Sequence, residues 1–267
     1  MIQLVITDLD KTLLNDEGLI SKQNIQSIQL LKDKKISFGI ASGRAKHIIQ
    51  KIAKNFGIYD KVDFIISYNG VSLYEKNKDE DFNGNFLDKE IIKKLYNKFK
   101  HRDISFIIHL NNTMICNRVT KYTEKERVIN QFEQMVVQDF VSILDRNYPK
   151  LMMVGESEVL CKIEEELENY KDNNFSFFKS HENFLEVVSK NVSKAEMLKV
   201  LCDKNKINLK NVLSIGDNYN DLGMIKSSGY GVAVGNAVDE LKQNAKLVVR
   251  SNNEDGFAEA IKYFLKK

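Results

Sequence analysis

Apolar and polar positions run along the chain in blocks whose period changes from that of strands to that of helices. Leu4-Val5-Ile6 is a short apolar run that passes into Thr7-Asp8-Leu9-Asp10, the pattern of a buried strand ending in charge. Ser21 stands where it can cap a helix carrying Ile25, Ile28 and Leu31 on one face. Residues 36–41 predict a second strand, ending at Ser42-Gly43-Arg44. A helix through Ile48, Ile49 and Ile52 follows, and Gly57 can close it. Residues 63–67 predict a third strand, with a turn at Asn69-Gly70. Strand, helix, strand, helix, strand is the rhythm of a parallel sheet.

The rhythm breaks at residues 76–86. Residues 76–81 read as a charged connector, and Asn83-Gly84-Asn85 as a turn. Beyond it, strand-like runs come in pairs. Residues 105–110 and 114–116 flank Asn111-Asn112-Thr113 and predict a hairpin. Residues 151–154 precede a helix through Val159, Ile163 and Leu167, and residues 175–178 and 184–188 predict a second hairpin. The parallel pattern then resumes. Lys194 starts a helix through Met197, Leu198 and Leu201, and residues 212–215 form a strand that ends in Gly216-Asp217-Asn218-Tyr219-Asn220-Asp221. A short strand over residues 230–234 and a last helix through Phe257, Ile261 and Phe264 complete it. The simplest organisation is an α/β core, residues 1–82 and 187–267, interrupted by an α+β domain over residues 83–186.

Charge and composition exclude more than they assign. A net charge of +3 over 267 residues, with no basic segment free of acidic neighbours, argues against a nucleic-acid or membrane surface. The lysines between Lys93 and Lys100 fall at helical spacing among apolar residues and read as the solvated face of a helix. No stretch has the length of a membrane span, and the opening apolar run is too short for a signal peptide. Cys116, Cys161 and Cys202 are odd in number and far apart, which suits a reducing cytoplasm, and each reads as packing. His47, His101, His109 and His181 share no zinc-ligand spacing.

The chemistry lies at the ends of the predicted elements. A strand turns its side chains to alternate faces, so Asp8 and Asp10 point the same way at the tip of the first strand. Two such carboxylates repel unless a cation lies between them or one keeps a proton. Asp8, Asp217 and Asp221 offer hard oxygen ligands for magnesium. Ser42, Lys194 and the amides near Gly43 suit phosphate oxygens. Each residue also has an ordinary reading: Ser42 as a helix cap, Lys194 as a surface lysine, Asp217 and Asp221 as loop and helix-start residues, Arg44 as a rim residue. Metal, phosphate cradle and paired carboxylates together point to phosphoryl transfer.

Asp8-x-Asp10-x-Thr12, Ser42-Gly43-Arg44, Val192-Ser193-Lys194 and Gly216-Asp217-x-x-Asn220-Asp221 resemble, in order, the four motifs of the haloacid dehalogenase superfamily. The chain is most similar to its Cof-type (IIB) capped phosphatases, and the likeness extends through Asn69-Gly70, residues 234–237 and Asp255-Gly256. The resemblance implies a Rossmann-like parallel-sheet core with an inserted α+β cap that closes over the site and sets specificity. It implies that Asp8 attacks phosphorus and becomes an aspartyl phosphate, and that Asp10 is acid and then base. It implies Mg2+ held by Asp8, the Asp10 carbonyl and Asp217 with Asp221 behind, and phosphoryl oxygens held by Ser42, Gly43, Lys194 and Asn220. Asn236 would fix a loop near the site, and His181 is a candidate substrate contact in the cap. Lys11 departs from the family's usual Gly, Asn191 and Ala195 from Gly, and Val71 from Ala. The expected function is a cytoplasmic phosphatase of small metabolites. Sugar phosphates lead, with pyridoxal phosphate and flavin mononucleotide also in range. The expected partners are a small-molecule phosphate ester, no nucleic acid and no membrane, with the chain a monomer or weak homodimer. The rivals are a phosphomutase or phosphotransferase, and a non-catalytic sugar-phosphate sensor.

Overall fold

The computed structural model describes residues 1–110, 112–170 and 174–265. The chain divides into two compact units, residues 1–84 with 193–267, and residues 85–192.

The strands, in chain order, are β1 (Leu4–Thr7), β2 (Ser37–Ala41), β3 (Phe64–Ser67), β4 (Ser72–Glu75) and β5 (Glu80–Asn83) in the first unit. Then come β6 (Ile104–Leu110), β7 (Thr113–Cys116), β8 (Glu133–Val136), β9 (Leu151–Gly155), β10 (Phe175–His181) and β11 (Phe184–Ser189) in the second. The first unit resumes with β12 (Val212–Gly216), β13 (Tyr230–Ala233) and β14 (Leu247–Val248). The helices are α1 (Lys22–Asp33), α2 (Lys46–Asn55), α3 (Lys89–Phe99), α4 (Lys121–Asn130), α5 (Ser157–Glu168), α6 (Lys194–Lys204), α7 (Leu222–Ser227), α8 (Asp239–Asn244) and α9 (Gly256–Leu265).

The first unit is a sheet covered on both faces. Its strand order is β14-β13-β12-β1-β2-β3-β4-β5, parallel from β14 to β3 and antiparallel across β4 and β5. Side chains of β1 alternate between two apolar clusters. Val5 joins Ile28 and Leu31 of α1, Ile49 of α2 and Phe257 of α9. Leu4 and Ile6 join Met197, Leu198 and Leu201 of α6 on the other face. This is why β1 reads as an unbroken apolar run: both of its faces are inside. The first helix is capped as its sequence predicts, with Ser21 accepting from the Asn24 amide at 3.1 Å.

The second unit has a six-stranded sheet, β10-β11-β9-β6-β7-β8, antiparallel except for the parallel β7–β8 pair. Ile104, Phe106 and Ile108 of β6 pack with α3 and α5 in one apolar cluster. The alternate residues Ser105, Ile107 and His109 face the other way, where buried Glu126 of α4 comes within 3.5 Å of His109. Burial holds the His109 imidazole below its ordinary range, with Glu126 opposing. Both predicted hairpins form. Within the first of them, Asn111 lies outside the described residues.

Three expectations change. Glu80 and Asp81 from the expected connector, and Asn83 from the expected turn, belong instead to the exposed edge strand β5, entered through Asp79 in the left-handed region (φ 50°). Hydropathy carries no signal for a strand that buries neither face. The chain passes between the units at 84/85 and 192/193, not at 82/83 and 186/187, because β5 pairs with β4 and β11 pairs with β10 as far as Ser189. Cys161 is exposed rather than packed, and its Sγ accepts from Lys179 Nζ at 2.9 Å; Cys116 and Cys202 are buried.

One glycine ties the turn after β3 to the start of α6. Gly70 has φ 105°, and a Cβ there would lie 2.1 Å from the Ser193 carbonyl oxygen, one residue before Lys194. Gly70→Ala should therefore lose at least about 1–3 kcal/mol of stability from backbone strain alone, read by chemical denaturation. A loss below about 0.5 kcal/mol, the range of neutral surface changes, would show that the approach is not tight.

Candidate active site

Strand order reverses at β1. The chain runs outward through β2 and β3 on one side and later adds β12, β13 and β14 on the other. In an open parallel sheet, the crevice at the carboxyl ends of such strands is where ligands bind. Asp8 follows β1, Ser42 follows β2 and Asp217 follows β12. The neighbouring registers, Thr7 beside Ile40 and Ile215, bring those three ends together.

Lys194 lies at the centre. It begins α6, whose cap Ser193 accepts from the Glu196 amide at 3.1 Å. Its side chain is fully buried, and its Nζ donates to Asp8 Oδ1 at 2.5 Å and to Asp221 Oδ1 at 2.7 Å. Asp221 Oδ2 accepts from the backbone amides of Asp217 and Asn218 at 3.0 and 3.2 Å. Gly216 makes this possible, since a Cβ there would meet the Asp221 side chain at 2.6 Å. Thr12 Oγ1 donates to Asp217 Oδ1 at 2.9 Å. One carboxylate oxygen from each of Asp8, Asp217 and Asp221 lies within 4.8 Å of the other two, and all three residues are buried.

The remaining motif residues adjoin this cluster. Asn220 Nδ2 donates to Asn69 Oδ1 at 3.0 Å, and the Asn69 amide donates to the Ser42 carbonyl at 3.0 Å. A Cβ at Gly43 would press on the Asn69 side-chain nitrogen at 3.1 Å, so Gly43 leaves that amide its place. The Asp10 carboxylate is not among the three facing carboxylates. It is gripped by Arg44, with Nε donating to Oδ2 at 2.9 Å and Nη2 to Oδ1 at 2.8 Å. Asn236 Nδ2 donates to the Lys11 carbonyl at 2.8 Å and its Oδ1 accepts from the Asn252 amide at 2.9 Å, which pins the left-handed turn at Lys11 (φ 58°). His181 belongs to the other unit, where its Nδ1 accepts from the Asn183 amide at 3.2 Å and its Nε2 lies 3.0 Å from Lys125 Nζ. The Thr12, Asn69 and Arg44 contacts are what sequence reading missed as working parts of the site. Thr12, Asn69 and Arg44 each lie inside a recognised motif, but nothing in a linear pattern names their partners.

The cluster holds more negative charge than its lysine offsets. Burial pushes the Asp8 carboxyl well above the usual carboxylate range; Lys194 pulls it back, while Asp221, Asp217 and Asp10 push it further up. Burial, with Asp221 beside it, raises Asp217 to about 6 against the Thr12 hydrogen bond and Lys194. Burial pulls the Lys194 ammonium down, but Asp221 and Asp8 outweigh it and hold it above its ordinary range. One ammonium among three carboxylates leaves room for a further cation, and hard carboxylate oxygens are the donors that a magnesium-sized ion takes. Asp8 Oδ1, which among the described residues accepts only from Lys194, and the Asp217 carboxylate can still face a cation, whereas both oxygens of Asp221 are already engaged.

This fold and site define a haloacid dehalogenase-like hydrolase. A family model of that description matches residues 5–261, and the chain belongs to the family. The chain is 29% identical over 266 residues to the 5-amino-6-(5-phospho-D-ribitylamino)uracil phosphatase YcsE of Bacillus subtilis, covering 99% of this chain and 96% of that protein. It is 31% identical to a haloacid dehalogenase-like hydrolase of Bacteroides thetaiotaomicron of known crystal structure, with a TM-score of 0.90 and coverage of 99% and 100%. It shares its fold with the subclass IIB sugar phosphatase BT4131, at 19% identity, a TM-score of 0.82 and 98% coverage of both chains. The chain is an enzyme of the phosphoric monoester hydrolase class. Among the described residues, no helix is long and apolar enough to cross a membrane.

The crowded carboxylates set a pH dependence. Asp217 titrates at about 6 in the folded chain against 3.8 for an ordinary Asp, so folding tightens its hold on a proton. That contribution to stability is complete below the unfolded value and is lost as pH rises through the folded one. The metal-free wild type should therefore lose stability relative to Asp217→Asn between about pH 4 and pH 6. Above that window Asp217→Asn should melt higher, and calorimetric scans of both proteins in chelator test the difference. A variant that melts lower at neutral pH would show that Asp217 is not under electrostatic strain.

Proposed function

We propose that the chain is a magnesium-dependent phosphatase that hydrolyses small phosphorylated metabolites through an aspartyl phosphate on Asp8. The observation that carries the reading is Lys194, buried between Asp8 and Asp221 with Asp217 facing them. That arrangement is wasteful for a structural core and suited to a phosphoryl group beside a cation. Lys194 holds Asp8 Oδ1, which leaves Oδ2 to attack. The Oδ2–phosphorus bond forms as the ester P–O bond breaks, and the leaving oxygen takes a proton from Asp10. Asp10 then takes a proton from water as that water attacks phosphorus. Inorganic phosphate departs and the Asp8 carboxylate is restored. Lys194, the Ser42 hydroxyl, the Gly43 amide and Asn220 would hold the phosphoryl oxygens as charge builds on them. Magnesium, held by Asp8, the Asp10 carbonyl and Asp217, with Asp221 behind, would supply the neutralising charge such a transfer needs.

Sugar and sugar-alcohol phosphates are the leading substrates. The name of the Bacillus subtilis relative, a phosphatase of a phosphoribityl compound, supports that class. Pyridoxal phosphate and flavin mononucleotide carry the same primary phosphate ester and belong in the same panel. The three free cysteines support a reducing, cytoplasmic setting.

Incubation with magnesium and a panel of phosphate esters should release inorganic phosphate, and chelation should stop it. Release undiminished by chelator would remove the metal from the reading. Asp8→Asn should fold and be inactive, since an amide cannot form the acyl phosphate; retention of about a tenth of the wild-type rate would sink the nucleophile. Asp10→Asn should slow alkyl phosphates by roughly 10²–10⁴-fold. With p-nitrophenyl phosphate it should instead give a burst of nitrophenolate followed by slow turnover, because that leaving group needs no proton. Wild-type rates on both esters would refute the acid and base roles.

A further inference from the structure

Asp8 and Asp10 are held in opposite ways. The Asp8 carboxylate is buried and fixed by Lys194 from within the core. The Asp10 side chain is 46% exposed, and its backbone is irregular, with φ −78° and ψ 129° followed by left-handed Lys11. A half-exposed carboxylate without a partner would sample several staggered positions. Arg44 is its only side-chain partner among the described residues, and the contact is a two-point fork through Nε and Nη2. Arg44 is itself mounted firmly. Its amide donates to Ser42 Oγ at 3.2 Å, and its carbonyl accepts from the Tyr68 amide at 3.1 Å. The backbone of Arg44, in the loop after β2, is therefore tied at two points to the ends of β2 and β3, and its guanidinium extends from that base to Asp10.

We propose that Arg44 is a positioning residue for Asp10. Its fork sets the plane and reach of the Asp10 carboxyl, so that one oxygen meets the ester's leaving oxygen and, in the second half-reaction, the attacking water. The inference rests on the roles given above to Asp8 and Asp10. Planar two-point contact is what a guanidinium supplies and an ammonium does not, so the role turns on the geometry of the fork in addition to its charge. A rim arginine kept for binding the substrate's phosphate would present its donors to the ligand. Here two of them are spent on a carboxylate of the protein.

The test compares Arg44→Ala, Arg44→Gln and Arg44→Lys on glycerol 2-phosphate and p-nitrophenyl phosphate, with folding checked by circular dichroism; the Gln and Lys variants keep side-chain bulk if Ala does not fold. Arg44→Ala or Arg44→Gln should lower kcat for glycerol 2-phosphate roughly 10–100-fold, with KM within about threefold. The pre-steady-state release of nitrophenolate should stay within about threefold of wild type, because that step needs no positioned acid. Arg44→Lys should be as slow as Ala on the alkyl ester. Added guanidinium ion should speed Arg44→Ala and not Arg44→Lys. Equal slowing of both esters, a change in KM alone, or full activity in Arg44→Lys would each overturn the proposal. Asp8→Asn run alongside separates the two levels. Turnover by that variant overturns the underlying mechanism, whereas an inactive Asp8→Asn with ester-blind Arg44 variants overturns the role of Arg44 alone.

Discussion

A buried ammonium makes this site possible. Three carboxylates within 4.8 Å of one another would expel each other or stay protonated in a dry core. Lys194 joins two of them directly, at 2.5 and 2.7 Å, and is itself fully buried. Removing one partner from a buried charged group of this kind typically costs about 3–5 kcal/mol, because the others are left uncompensated. The arrangement still falls short of neutrality, and burial first, with the neighbouring carboxylates adding to it, raises the pKa values of Asp8 and Asp217. The same shortfall is what a divalent cation and a phosphate ester can resolve together.

The rest of the first unit delivers groups to Lys194. Strand reversal at β1 opens the crevice, and parallel pairing sets the ends of β1, β2 and β12 side by side. Gly70 lets the turn after β3 touch the start of α6, and Gly216 lets the Asp221 carboxylate reach back to two amides. Thr12, Asn69 and Asn236 then tie down Asp217, Asn220 and the turn beside Asp10. Each bond is worth only about 1 kcal/mol by itself. Their common effect is to remove rotamer freedom from the groups gathered around Lys194.

The second unit shows a different division. One face of its sheet is apolar and packed on α3 and α5. The other carries buried polar groups: His109 beside Glu126, Asn130 donating to Glu126 at 2.9 Å, and Lys150 donating to Glu186 at 3.0 Å. Burying such groups is costly, and each is met by a polar or charged partner.

The sequence alone determined the parallel core, the interruption by an α+β unit, and Asp8, Asp10, Ser42, Lys194, Asp217, Asn220 and Asp221 as residues of interest. Strand burial and helix period are local properties, written in neighbouring residues, and the site residues stand out through their resemblance to the family's four motifs. The polar edge strand β5, the exact junctions and the exposed position of Cys161 were not legible. Each depends on which other segment lies alongside, and neither hydropathy nor spacing encodes that. The same holds for the site's contacts. That Lys194 would be buried between Asp8 and Asp221, 186 and 27 residues away, was decided by the fold. So was the pairing of Arg44 with Asp10 rather than with solvent. Charges distant along the chain acquire a shared environment only when the sheet closes the distance, and that shared environment sets which of them keep their protons.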